Sequence, residues 1–253
     1  MTLTVAGEPL IAFLLASVRI LAWLAVVPPF SGRSIPMMAK VVLSLGLAFA
    51  IVPEGGAIPL DTVGLLVNVG TQVLIGVSMG FVTYLILAAI AAAGSLIDVF
   101  GGFSLAQGFD PLSMNQNTVF GKFHQMLATV LLFVSGGHLL VIGGLLRTFH
   151  FLPLGTTPDW AGAPDVLVTA FSMFFVTAVQ IAMPMIAVLF IADLGLALLT
   201  KVAPQLNAIN VMFPAKIGLT LLLLGMSLPV LPQAVDRLVQ LATEAMSTLS
   251  GAS

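Results

Sequence analysis

Residues 63–97 read VGLLVNVGTQVLIGVSMGFVTYLILAAIAAAGSLI, a run containing no Asp, Glu, Lys or Arg. As a helix rising about 1.5 Å per residue it would measure on the order of 50 Å, well beyond the roughly 30 Å of a bilayer's hydrocarbon core. A second such run, 166–200, is interrupted by Asp193 alone. Apolar helices of this length tilt, break or project. Bending is expected at Pro184 in the second run and around Gly64, Gly70, Gly76, Gly80 and Gly94 in the first. Working outward, further apolar blocks fall at about 10–29, 37–53, 125–149 and 211–232, for six candidate spans in all. Hydrophobic residues make up 59% of the 253 and charged residues 7%, more apolar surface than a water-soluble domain can hide. The expected fold class is an all-α membrane protein with about six hydrophobic helical segments, two of them long and kinked or broken. One membrane domain, 1–253, accounts for the chain, because the longest interruptions, 98–124 and 150–165, are loop-sized.

The opening MTLTVAGEPL carries Glu8 instead of a basic cluster, and Arg19 interrupts the apolar run behind it, so the first segment is expected to be retained and not cleaved as a signal. With no cysteine, thiol catalysis, disulfides and Cys-based metal sites are excluded, and a formal charge of −2 points to neither nucleic acid nor a basic membrane patch. Arg33, Lys40, Lys122, Lys201 and Lys216 fall on one side of the six-span arrangement, against Arg147 and Arg237 on the other. Because cytoplasmic loops carry the excess of Lys and Arg, both termini are expected outside and three loops inside.

Catalytic, cofactor-binding and metal-binding residues are all expected to be absent. Gly102 to Ala106 resembles GxSxG but lacks the second glycine, and no strand precedes it to build a nucleophile elbow. His124, His138 and His150 lack the spacing of a zinc site, and no GxxxxGK[ST] cradles a nucleotide, so energy would have to come from another protein. Arg19, Asp98 and Asp193 need explanation, since a central membrane charge costs about 2.5–3.5 kcal/mol even on insertion scales. Asp98 and Asp193 lie near span ends, where they can reach the interface or pair with a lysine such as Lys201. Arg19 sits mid-span and calls for snorkelling or a partner inside the bundle.

Three further features stand out. Gly76 and Gly80 form a GxxxG pair, continued by Ala88 with Ala92 and Ala89 with Ala93, which suits close helix contact either within the chain or with a partner subunit. The turn KVAPQLNAINVMFPAK, 201–216, is a polar tip between apolar arms that could dock a partner. The segment 98–124, DVFGGFSLAQGFDPLSMNQNTVFGKFH, sets Gly101, Gly102 and Gly108 among Phe100, Phe103, Phe109, Phe120 and Phe123. Flexible backbone carrying bulky apolar groups suits a movable seal that closes a pore by dewetting, and equally suits aromatics packed at the membrane interface.

Several ordered motifs carry a family resemblance. They are Pro28-Pro29-Phe30-Ser31-Gly32-Arg33-Ser34-Ile35-Pro36; Gly101-Gly102-Phe103-Ser104 leading to Phe109-Asp110-Pro111; Ser135-Gly136-Gly137-His138-Leu139; Thr148-Phe149-His150-Phe151-Leu152-Pro153-Leu154-Gly155; and Lys201-Val202-Ala203-Pro204-Gln205-Leu206-Asn207 followed by Phe213-Pro214. In this order and spacing the chain resembles the FliR/SctT family of type III export-gate proteins over nearly its full length, closer to the flagellar branch than to the injectisome branch.

The resemblance implies a subunit of the inner-membrane export gate of the flagellar basal body, assembling with FliP and FliQ. FlhB would wrap the cytoplasmic entrance, and unfolded flagellar subunits would pass through the centre. It implies a FliP-like part at about 1–165 and a FliQ-like hairpin part at about 166–253. By the same likeness Phe100, Gly101, Gly102, Phe103, Phe109, Asp110 and Pro111 belong to a plug closing the passage at rest, and Lys201, Pro204, Gln205, Asn207 and Lys216 to a hairpin tip lining the entrance. It further implies that assembled members sit with broken helices against protein more than lipid, so that six spans describes insertion better than the final complex. The competing reading from the residues themselves is a secondary transporter of a small solute, suggested by the two long apolar runs and their polar residues Asn68, Thr71, Gln72 and Gln180.

Overall fold

The computed structural model describes residues 7–32, 35–51, 61–103, 118–156, 158, 161–203 and 208–251. Every regular element among them is helical: α1 (Gly7–Val26), α2 (Met37–Ile51), α3 (Thr62–Gly101), α4 (Val119–Val134), α5 (Gly137–Phe151), α6 (Ala163–Val202), α7 (Ala208–Ser227) and α8 (Leu231–Leu249), the last two joined by a 3-10 turn, Leu228–Val230. The lipid-like character of these helices shows in their hydroxyls. Ser17, Thr71, Ser78, Thr83 and Thr220 each donate to the carbonyl four residues back, so a polar side chain in an apolar helix is satisfied without water.

The six expected spans divide differently. Among the described residues four stretches are long and apolar enough to cross a membrane, Gly7–Val26, Thr62–Gly101, Ala163–Val202 and Met212–Leu249, with a fifth if α4 and α5 count as one bent span. The block at 37–53 yields a helix of 15 residues, about 22 Å long and too short to span alone. The block at 125–149 is broken by a 75° bend, where Gly136 takes a left-handed φ of 75° that a Cβ would disfavour. The last block continues past 232 into α8. That helix buries Leu231, Val235, Leu238, Val239, Ala242 and Met246 on one face and exposes Asp236, Arg237 and Glu244 on the other.

The chain forms two compact units. The first comprises Met1–Leu87, Gly136–Phe171 and Arg237–Ser253, the second Ala88–Ser135 and Ser172–Asp236. In the first, α1 crosses α3 at Gly76 and Gly80. A Cβ at Gly76 would collide with the Arg19 carbonyl and lie 2.9 Å from Ala22 Cβ, and one at Gly80 would lie 3.0 Å from Val26 Cβ. Only glycine lets the two backbones come this close. At a second contact, α8 meets α5, where a Cβ on Gly144 would touch Met246 and Thr243 at 3.0 Å.

Beside the α1–α3 crossing Arg19 is fully buried. Its Nε donates to Gln72 Oε1 at 2.7 Å and its Nη1 to the Leu152 carbonyl at 3.0 Å, and its guanidinium carbon stands 4.2 Å from the Phe149 ring centroid. Leu152 is the C-cap of α5. The cation is thus offset by an amide oxygen, the negative end of a helix dipole and an aromatic face. An intrabundle partner set, not snorkelling, accommodates this mid-span charge.

Two substitutions test this unit. Gly76→Ala is expected to lower stability by about 1–3 kcal/mol by forcing the helices apart, whereas Gly70→Ala in the same helix meets open space and is expected to be neutral or stabilising by up to about 1 kcal/mol. Arg19→Lys keeps the charge but loses the planar fork, and is expected to cost about 2 kcal/mol. Thermal unfolding of the purified protein followed by circular dichroism reads all three.

Candidate functional site

In the second unit, the C-terminal end of α3 and the start of α4 are the two roots of the segment 104–117, and one residue grips both. Val119 opens α4 and Thr118 is its N-cap, with extended φ −66° and ψ 143° and no cap bond from its own side chain. The amides left without a helical acceptor at N2 and N3 belong to Phe120 and Gly121. Both donate to Oδ2 of Asp98, at 2.8 and 3.1 Å. Asp98, 1% exposed, therefore caps α4 from a different helix, and its negative charge sits where the α4 dipole is positive. Thr118 Oγ1 meets Ser95 Oγ at 2.8 Å, one turn earlier on α3.

The other root is held by the same residue's main chain. The Phe103 amide donates to the Asp98 carbonyl at 3.1 Å, and Gly102 has a left-handed φ of 84°. A six-to-one hydrogen bond across a left-handed glycine is the Schellman ending of a helix, which usually brings the residue after the glycine onto the last apolar turn. Here Phe103 packs against a core of Ala93, Ile97, Phe120, Ala182, Met185 and Leu224. Its ring meets that of Phe120 edge-on, centroids 4.7 Å apart at 70°. The helices themselves pass at glycines: a Cβ on Gly94 would strike the Phe120 carbonyl, and one on Gly121 would strike Thr118 Oγ1 and lie 2.5 Å from Ser95 Oγ.

Close by, α6 and α7 are tied by an ion pair, Lys216 Nζ to Asp193 Oδ2 at 2.8 Å. One turn along α7 from Lys216, Thr220 donates to the Lys216 carbonyl at 2.8 Å and presses on Gly101, where a Cβ would lie 3.0 Å from both Cγ2 and Oγ1.

The residues singled out in the sequence are distributed as follows. Phe100 is half-buried in the last turn of α3, Gly101 is buried, Gly102 ends the helix and Phe103 enters the core. Gly101 and Gly102 thus serve a close contact and a helix ending, where the sequence suggested loosened backbone. Phe109, Asp110 and Pro111 lie outside the described residues, as do Pro204, Gln205 and Asn207. Lys201 is exposed in the last turn of α6. Lys216, at the other side of the turn, is the partner of Asp193 in place of Lys201, and Asp98, instead of reaching an interface, caps α4. Gly76 and Gly80 lie in the first unit, at the α1–α3 crossing.

The roles of Gly94, Gly121 and Phe120 at this junction carried no local signal, because each depends on a residue more than twenty positions away. An aspartate at the end of an apolar run facing an uncapped helix start was the one available hint. Among the described residues no group of three or more His, Asp or Glu could hold a metal ion.

The sequence profile described as bacterial export proteins, family 1, matches residues 10–242. The flagellar biosynthetic protein FliR of Escherichia coli strain K12 is 33% identical over 222 residues, 87% of this chain and 85% of that protein. FliR of Bacillus subtilis strain 168 is 28% identical over 244 residues, 94% of each. Yop proteins translocation protein T of Yersinia pestis is 25% identical over 226 residues, 86% of this chain and 85% of that protein. The profile match runs from within α1 to within α8 and includes both roots of 104–117, so this helical membrane chain belongs to family 1 of the bacterial export proteins, the FliR/SctT family.

Proposed function

We propose that this chain is a structural and gating subunit of the flagellar type III export channel, built with FliP and FliQ in the bacterial inner membrane at the flagellar basal body. It has a FliP-like part at about 1–165 and a FliQ-like part at about 166–253. Unfolded flagellar subunits are its cargo, and FlhB is its neighbour at the cytoplasmic entrance, around Lys201, Pro204, Gln205, Asn207 and Lys216. Residues 100–111 act as the plug. The observation that carries the export role is the family match across residues 10–242. The flagellar assignment is supported by identities of 33% and 28% to flagellar relatives, against 25% to the Yersinia translocation protein.

Physical reasons favour an assembly over a solitary transporter. α6 has 40 residues, only 22% of its most apolar window is buried within the chain, and at about 1.5 Å per residue it is roughly 60 Å long. Lipid can cover about 30 Å of that length. The remaining apolar surface, with Val168, Phe171, Ile191, Leu198 and Val202 all more than half exposed, calls for other protein chains. A plug needs fixed ends, and the double grip of Asp98 on Phe103 and on the start of α4 supplies them.

Co-expression with FliP and FliQ is expected to yield one stable complex containing all three. A monodisperse solitary chain that accumulates a labelled solute in liposomes would contradict this. In the reconstituted complex, deleting 101–109 is expected to raise ion leakage several-fold, and unchanged conductance would remove the plug assignment. Asp98→Ala, which strands the Phe120 and Gly121 amides, is expected to cost about 2 kcal/mol and shift the equilibrium between held and released roots about 30-fold. Leakage should therefore exceed that of Asp98→Asn, which keeps an acceptor oxygen. Equal leakage in the two variants would mean that the cap does not hold the plug.

A further inference from the structure

We propose that the Asp193–Lys216 ion pair of α6 and α7 and the Asp98 grip on the roots of 104–117 form one cooperative latch, so that parting α6 from α7 releases both roots together. The contacts form an unbroken chain within the second unit. Asp193 Oδ2 accepts from Lys216 Nζ at 2.8 Å, and the Lys216 carbonyl accepts from Thr220 Oγ1 at 2.8 Å. Thr220, fully buried, bears on Gly101 so closely that a Cβ there would lie 3.0 Å from its Cγ2 and Oγ1, and a Cβ on Gly102 would lie 3.6 Å from Lys216 Cδ. Gly101 and Gly102 lead directly into Phe103, whose amide is on the Asp98 carbonyl and whose ring lies on Phe120. Asp98 in turn holds the Phe120 and Gly121 amides through Oδ2.

Apolar packing runs parallel to this chain. Ala182 and Met185 of α6 and Leu224 of α7 share one buried cluster with Phe103 and Phe120. A displacement of α7 therefore cannot be absorbed at the ion pair alone. With backbone against side chain at Gly101 there is no slack, and close-packed interiors transmit strain instead of deforming gradually.

The ion pair is the trigger because of where it sits. The Lys216 side chain is 14% exposed and that of Asp193 36% exposed, and Lys216 borders an apolar groove lined by Ala192, Gly195, Leu196 and Leu199 of α6 and by Leu219 of α7. An ion pair beside apolar surface is stronger than one in water, and removing one partner leaves the other poorly compensated. Anything that competes for Lys216 or Asp193 therefore acts on the roots of 104–117. The latch rests on the plug reading only for its purpose; the coupling itself is a property of the second unit.

Amide hydrogen exchange on the full-length chain tests it, in complex with FliP and FliQ or, where no complex forms, on the chain in nanodiscs. The readout does not use conductance, so its failure leaves the export reading untouched, and failure of the export reading leaves the coupling testable. Asp193→Asn is expected to raise exchange about tenfold in peptides covering 98–103 and 118–124, while peptides at the α1–α3 crossing stay at the wild-type level. The swap Asp193→Lys with Lys216→Asp is expected to restore protection. A rise confined to α6 and α7, a rise throughout the chain, or a swap that fails to restore protection would each overturn the proposal.

Discussion

The junction of α3 with α4 in the second unit depends on the buried carboxylate of Asp98. A carboxylate this deep in an apolar helix bundle would be costly if left alone, yet here it answers a problem of its own kind. Helix α4 begins with amides that have no acceptor, and the N-cap residue Thr118 turns its hydroxyl to Ser95 instead of to its own helix. Asp98 Oδ2 takes the amides of Phe120 and Gly121, and the α4 dipole favours its charge. The same residue's carbonyl takes the Phe103 amide. One amino acid thus fastens the outgoing and the returning chain, and the glycines at 94 and 121 exist to let α3 and α4 come near enough for it to reach.

The polar groups of the first unit follow the same economy. Arg19 has no need of a carboxylate, because the C-terminus of α5, the Gln72 oxygen and the Phe149 ring each supply part of a negative charge. Two buried charged groups thus hold one element to another, Arg19 joining α1, α3 and the end of α5, and Asp98 joining α3 and α4. Both arrangements fix helices against one another. The apolar face of α6, a 40-residue helix about 60 Å long against roughly 30 Å of hydrocarbon core, is left largely uncovered within the chain.

The helical class and the two long segments could be read from hydropathy, because long uncharged runs leave only the helix as a way to satisfy backbone groups in lipid. Gly76 and Gly80 were legible as a close contact, since GxxxG acts through local spacing, although the partner helix was not. The break inside 125–149 was hidden because Ser135-Gly136 does not lower hydropathy enough to interrupt an apolar block. α8 was missed for the opposite reason: its polar face dilutes the average, while its buried residues recur with helical period at 231, 235, 238, 239, 242 and 246. At the site, the glycine-phenylalanine segment drew notice at once, but the pairing of Asp98 with residues 120 and 121 and of Asp193 with Lys216 required the fold, as side-chain hydrogen bonds across more than twenty residues leave no periodic trace.

The central claim is that the two roots of 104–117 are pinned against each other, and the most direct measurement is a cross-link between them. The chain has no cysteine, so Ser95→Cys with Thr118→Cys places the sole thiol pair at the point where two hydroxyl oxygens stand 2.8 Å apart. Mild oxidation of the assembled protein is expected to close this disulfide nearly completely, with cysteines at the exposed positions Val99 and Val134, the latter at the far end of α4 about 22 Å from Val119, as the unlinked comparison. A Ser95–Thr118 pair that stays reduced would show that α3 and α4 do not meet as described, and the account of the grip at Asp98 would fall with it.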